Sequence, residues 1–238
     1  MKEKLRKKAV VTGGTRGIGL AIAKRLKQNN IEVLVTGTKN YSTLNEDFLY
    51  KAVDFSSLAA IQEFSNFLQS FAPDILINNA GINKIDGFND IKPEDFLKIQ
   101  QVNTTAPFYL CQAVLAGMKK KRWGRIINIT SVWSKISKTG RASYSASKFG
   151  LDGMIAALAA EVAEYGVLVN CVAPGFIETD LTKEILGPQG IVDIAQQIPM
   201  KRLGKPEEIA SFVAWLVSEE NTYISGQNLA IDGGFTRV

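Results

Sequence analysis

A chain of 238 residues, 46% of them hydrophobic, is long enough for one large α/β domain and short for two. It contains no histidine, which removes every histidine-based triad and the usual zinc ligand sets, so proton chemistry falls to Tyr, Lys, Asp or Glu. The net charge of +5 gathers in Lys2 to Lys8 and Lys119 to Arg125, where solvated ends and turns account for it, so nucleic acid is not an expected partner.

No apolar run approaches the ~18 residues of a membrane span, and Met1 to Lys8 lacks a signal-peptide core. The expectation is a cytoplasmic protein with no membrane partner. Cys111 and Cys171 stand alone in sequence and are expected to pack as small core residues, with no metal bound.

In chain order, Ala9 to Thr12 reads as a buried strand, followed by T-G-G-T-R-G-I-G (Thr12 to Gly19) and an amphipathic helix through Leu26. Ile31 to Val35 is a second strand, Ala52 to Phe55 the end of a third, and Ser57 to Phe71 a helix. Asp74 to Asn78 is a fourth strand running into N-N-A-G (Asn78 to Gly81). Pro93 opens a long helix that reaches Lys121 with an interruption near Pro107, and Arg125 to Thr130 delivers Ser131 at a strand end. A helix bearing Tyr144 and Lys148 leads to a strand at Val167 to Val172, then Pro174-Gly175, an irregular segment, a helix from Glu207 to Val217 and a last strand near Asn228 to Ile231. Strands separated by helices predict a single-domain, doubly wound parallel sheet, a Rossmann fold with helices on both faces.

The glycines at 13, 17 and 19 let backbone approach a pyrophosphate, whose charge the free N–H groups of the helix start attract. Tyr144 and Lys148, four apart, project from one helix face. An ammonium beside a phenol favours the tyrosinate and suits it to acid–base work. The glycine turn, Asn79, Ser131 and Pro174-Gly175 all fall at strand carboxyl ends, where such sheets bind ligands.

With T-G-x-x-x-G-x-G, N-N-A-G, Asn103, Ser131, Y-x-x-x-K and P-G in this order, the sequence resembles the short-chain dehydrogenase/reductase family from Lys8 to Val238. The resemblance implies hydride transfer between a nicotinamide and a carbonyl or carbinol carbon. Tyr144 would move the proton, Ser131 would hydrogen-bond the carbonyl oxygen, and Lys148 would hold the nicotinamide ribose and lower the Tyr144 pKa. Asn103 would hold a water linking the lysine to solvent. The cofactor would be lined by Gly13, Thr15, Arg16, Gly17, Ile18, Gly19, Thr38, Lys39, Asp54, Phe55, Asn79, Gly81, Tyr144, Lys148, Pro174, Gly175, Ile177 and Thr179.

Where NAD-selective sites carry an acid on the ribose, this chain has Thr36-Gly37-Thr38-Lys39, and with Arg16 nearby the expected cofactor is NADP(H). G-R-I-I-N-I-T-S, A-P-G-F-I-E-T-D and I-D-G-G are similar to 3-oxoacyl-(acyl carrier protein) reductases, which implies reduction of a 3-oxoacyl thioester to its (R)-3-hydroxyacyl form. Lys119 to Arg122 with Arg125 would receive an acidic carrier, although Tyr165 replaces a second carrier-binding arginine. Trp133, Lys135, Lys138 and Arg141 depart from the small uncharged residues common between Ser131 and Tyr144 and suit a bulkier or anionic substrate. The alternatives are a reductase of another ketone, such as a sugar or secondary metabolite, and a noncatalytic NADP-binding protein. The resemblance further implies a homotetramer, and residues 178–199 are expected to form a mobile lid over an apolar substrate.

Overall fold

The structure, a computed structural model, describes residues 6–40 and 48–237, and leaves the Leu181 side chain undescribed. The amino-terminal cations Lys2 and Lys4 lie outside the described residues. Seven parallel strands form one sheet in the order β3-β2-β1-β4-β5-β6-β7: β1 (Lys8–Val11), β2 (Glu32–Gly37), β3 (Leu49–Ala52), β4 (Ile75–Asn78), β5 (Gly124–Ile129), β6 (Val167–Pro174) and β7 (Asn228–Ile231). The central strands are buried throughout, which is why they read as continuous Val/Ile/Leu runs rather than alternating ones.

The helices are α1 (Gly17–Gln28), α2 (Leu58–Phe71), α3 (Pro93–Gln100), α4 (Ala106–Lys121), α5 (Ala142–Val162), α6 (Asp180–Gln197) and α7 (Pro206–Leu216). Val10, Leu76, Ile126 and Val169 face a core completed by α2, α4 and α5, while Val11, Ile77, Ile127 and Val172 face one completed by α1 and α7. Both faces of the sheet are thereby covered, as the alternating strands and helices require. Cys111 and Cys171 are buried, and burial pushes the Cys111 thiol up to about 12. Both pack as the small core residues the sequence implies.

Three boundaries differ from the sequence reading. β3 closes at Ala52, so Asp54 and Phe55 lie beyond its carboxyl end. The break in the long helix is a turn of π-helix at Gln101–Thr105, before Pro107 and centred on Asn103. The segment after Pro174-Gly175 is mostly helical, α6 being bent at Gly187 (φ 64, ψ 176), a conformation open only to glycine. The strand order reverses between β1 and β4, which are followed by β2 and β5 on opposite sides, and this opens the crevice beyond their carboxyl ends.

Candidate active site

The turn after β1 is bolted to the end of β4. Thr12 Oγ1 accepts the backbone N–H groups of Asn79 (2.9 Å) and Ala80 (3.0 Å), and Asn79 Nδ2 donates to the carbonyls of Thr12 (3.0 Å) and Gly13 (3.1 Å). Gly13 holds φ 61, and a Cβ on Gly19 would lie 2.4 Å from both Asn79 Nδ2 and the Gly13 carbonyl oxygen. The glycines therefore allow α1 to start hard against this clasp. No side chain caps α1 and no acid sits in its first turn, so its N-terminal amides face the crevice with their partial positive charge. Thr179, N-cap of α6, stands across from them, its Cγ2 3.5 Å from where a Gly17 Cβ would be.

Arg16, in the turn before α1, and Thr38 and Lys39, beyond β2, are exposed. A Cβ on Gly37 would meet Thr15 Cγ2 and the Tyr50 hydroxyl at 2.9 Å each, and the Tyr50 hydroxyl donates to the Lys39 carbonyl at 2.6 Å. Tyr50 thus occupies ground beside the place an acidic side chain would take. The sequence analysis missed it, since an aromatic in a short strand carries no signal of its own. Asp54 is exposed and accepts from Ser56 N and Oγ, while Ser57, not Asp54, caps α2. Phe55 points into the core against Phe64, so only its backbone is open to a ligand.

Ser131, at the end of β5, is nearly buried, and its Oγ accepts the Trp133 backbone N–H at 3.2 Å. Burial pushes the nearby Tyr144 phenol up, while Ser131 beside it and the charge of Arg141 pull it back down. Lys148 is buried, donates from Nζ to the Ile129 carbonyl at 2.8 Å, and is pushed down to about 8 by desolvation. Its Nζ lies 5.5 Å from the Tyr144 ring centroid. Arg141, which the sequence reading did not assign to this role, is a neighbouring charge that lowers the phenol.

Asn103 is fully buried. Its amide accepts from Ile82 N (2.9 Å) and donates to Ile82 O (2.9 Å) and Ser147 Oγ (3.0 Å). Both amide hydrogens are therefore spent bracing the β4 loop against α5, and the π turn aims them there. Ser147 passes the brace on to the Tyr144 carbonyl at 2.7 Å; sequence reasoning did not single it out. Gly81 closes the group, a Cβ there falling 3.3 Å from Asn103 Oδ1 and 3.6 Å from Lys148 Nζ. Pro174 ends β6, Gly175 passes close to Asp232, and Ile177 bridges to Gly204.

Residues 13–236 match a family model described as enoyl-(acyl carrier protein) reductase. The chain is 42% identical over 240 residues to the 3-oxoacyl-[acyl-carrier-protein] reductase FabG of Vibrio cholerae, spanning 98% of each chain. The Escherichia coli FabG is 40% identical, spanning 97% of each. The chain belongs to the short-chain dehydrogenase/reductase family. Among solved structures, a gluconate 5-dehydrogenase from Burkholderia cenocepacia in complex with NADP and tartrate is similar with TM-score 0.89 and 27% identity, covering 99% of this chain and 97% of that one. ElxO with NADP bound is similar with TM-score 0.90 and 28% identity, covering 98% and 100%.

Membership makes the chain an NAD(P)-dependent oxidoreductase. Its residues fit a dinucleotide: Gly13 and Gly19 let the turn pack against Asn79 and Ala80, Gly17 leaves the space facing Thr179 open, and the uncapped start of α1 offers amides to a pyrophosphate. In this short-chain reductase Ser131 follows the carboxyl end of β5, and Lys148 from α5 is fixed to that same end through the Ile129 carbonyl. No helix among the described residues is long and apolar enough to cross a membrane.

Proposed function

We propose that this protein is an NADPH-dependent 3-oxoacyl thioester reductase, with Asn103, Ser131, Tyr144 and Lys148 as its working residues. The observation that carries the proposal is the Tyr144 phenol set beside Ser131 with the buried Lys148 Nζ 5.5 Å from its ring, in a chain about 40% identical over its full length to 3-oxoacyl-[acyl-carrier-protein] reductases. When bound, NADPH supplies the hydride to C3 of the substrate. Ser131 donates a hydrogen bond to the carbonyl oxygen as charge develops there, and Tyr144 gives it the proton. A phenol pushed up by burial stays protonated at neutral pH and is ready as the acid. Lys148, anchored to the Ile129 carbonyl, holds the ribose side of the cofactor. Asn103 and Ser147 fix the α5 backbone that carries Tyr144.

NADPH is favoured over NADH because Gly37 leaves no carboxylate to repel a 2′-phosphate while Arg16 and Lys39 are exposed beside it. The remaining cofactor-lining assignments, from Thr15 and Ile18 to Ile177 and Thr179, belong to the same proposal. The carrier-protein part is narrower than the sequence suggested. Arg125 is buried, bonded to the carbonyls of Gly124, Gly166 and Asn221, and is lost to the basic patch. Lys119 to Arg122 precede β5, whose six residues span about 20 Å, so they lie at the far end of the strand from Ser131. The carrier reading therefore leans on the relatives. Exposed Phe96, Leu97, Phe108 and Phe149 on the helices flanking Asn103 and bearing Tyr144 support assembly into a homotetramer, to be checked by light scattering.

The deciding experiment measures oxidation of NADPH and of NADH with acetoacetyl-CoA and acetoacetyl-carrier protein beside simple ketones and ketosugars. Thioester reduction with higher kcat/KM for NADPH is expected. Brisk turnover of another ketone with none of the thioesters would move the assignment to that ketone, and parity between cofactors would remove the preference.

A further inference from the structure

The loop joining Ser131 to Tyr144 carries cations that the proposed reaction leaves unused. Lys138 Nζ and Arg141 Cζ lie 5.5 and 5.6 Å from the centroid of the Trp133 ring. That indole is buried and edge-packed by Phe176 and Phe235, both at 6.2 Å, so it forms a fixed platform two residues from Ser131. Arg141 is the N-cap residue of α5, three residues before Tyr144, and its charge acts on the phenol. Its Nε is buried with no hydrogen-bond partner. Among the described residues no carboxylate forms an ion pair with Arg141 or Lys138.

Arg141 is half-buried, and taking part of a guanidinium out of water without a counter-charge is unfavourable, the idle buried Nε–H adding to the penalty. The indole face offsets part of it. What the Trp133 platform leaves unsatisfied is a bidentate acceptor, the geometry a carboxylate or phosphate offers. We propose that Arg141, seated on Trp133, gives the site a second substrate class beside the neutral thioester: ketones that carry a carboxylate or phosphate next to the carbonyl, whose oxyanion it binds and whose carbonyl it so positions between Ser131 and Tyr144. Lys138 adds charge at the same platform. This rests on the carbonyl-reductase reading of Ser131 and Tyr144 but not on the thioester.

The test uses the full chain with NADPH and two substrate pairs that differ in charge: acetoacetate against acetoacetamide, and dihydroxyacetone phosphate against dihydroxyacetone. The anionic member of one pair is expected to show about tenfold or higher kcat/KM than its neutral partner, and the pair that responds tells carboxylate from phosphate. Arg141→Gln, which removes the charge but keeps a donor, should bring that ratio towards one, chiefly through KM. Because Arg141 also acts on Tyr144, a loss shared equally by anionic and neutral ketones would assign it to the phenol alone and overturn the proposal. Reduction of ketones without an anionic preference in the unaltered enzyme overturns it whether or not the variant folds. An anionic preference with no thioester turnover would uphold Arg141 and dismiss the thioester. No turnover of any ketone would dismiss the reductase reading itself.

Discussion

Lys148 Nζ donates to the Ile129 carbonyl at 2.8 Å from a site with almost no solvent contact and no carboxylate beside it among the described residues. An ammonium held this way is a burden on the fold. Its proton is bound more weakly than in the unfolded chain, about 8 against 10.5, so between those values the unfolded chain carries more protons and stability rises with pH. Below about 8 the full penalty is present. Lys148→Met removes the charge while filling similar volume, at the loss of one hydrogen bond. The variant should be more stable than the parent near neutral pH, by on the order of 2 kcal/mol, with the gap closing as pH rises towards 10.5. Urea unfolding at several pH values measures this, and a gap independent of pH would contradict it. That burden accords with the proposed work of Lys148 on the cofactor, since it does nothing for the fold.

Tyr144→Phe keeps the ring and removes the proton donor. Turnover should fall by about two to four orders of magnitude, the usual share of a general acid, while NADPH binding by fluorescence titration changes little. Full activity in the variant would dismiss the assigned role. Tight NADPH binding without turnover is the pattern expected if the phenol serves the substrate rather than the cofactor.

The architecture was legible because it rests on patterns that survive in one dimension: continuous apolar strands, amphipathic helices, and glycines where backbone must pass close. The site was legible where chemistry fixes spacing, as with Tyr144 and Lys148 on adjacent turns of α5. What the sequence concealed depends on three-dimensional neighbours. Asn103 reads as a polar residue in a helix, and only the π turn shows its amide spent on Ile82 and Ser147. Arg125 reads as one more surface cation, yet carbonyls from three separate segments hold it inside. Tyr50 reaches Gly37 from the next strand, a contact with no counterpart in local sequence.

Gly19→Ala tests the clasp between the first turn and β4. Alanine is a better helix former than glycine, so local propensity alone would stabilise α1. The added methyl would instead sit 2.4 Å from Asn79 Nδ2 and the Gly13 carbonyl, well inside contact distance, with backbone on one side. Overpacking wins, and a loss of about 1–3 kcal/mol is expected by thermal unfolding, with weaker NADPH binding as the turn is pushed open. Unchanged Tm and affinity would show that α1 can move away without consequence.

The lid expectation is sharpened by how α6 is anchored. Ile194 and Ile198 are buried with Leu203 in a cluster that includes Phe176, so the second half of the helix is tied to the body of the protein. The first half is held less: Leu186 packs against that cluster but is only partly buried, Ile185 is 53% exposed, and Gly187 interrupts the helix at a conformation other residues resist, with open space around its Cβ position. Its N-cap, Thr179, stands opposite Gly17 at the dinucleotide cradle, which places the start of α6 where a bound cofactor and substrate would meet it. Hydrogen exchange should therefore be faster across 180–187 than across 191–197, and it should slow in the first half alone when NADPH and a ketone analogue are added. Equal protection of both halves, unchanged by ligands, would make α6 a fixed wall rather than a gate hinged at Gly187.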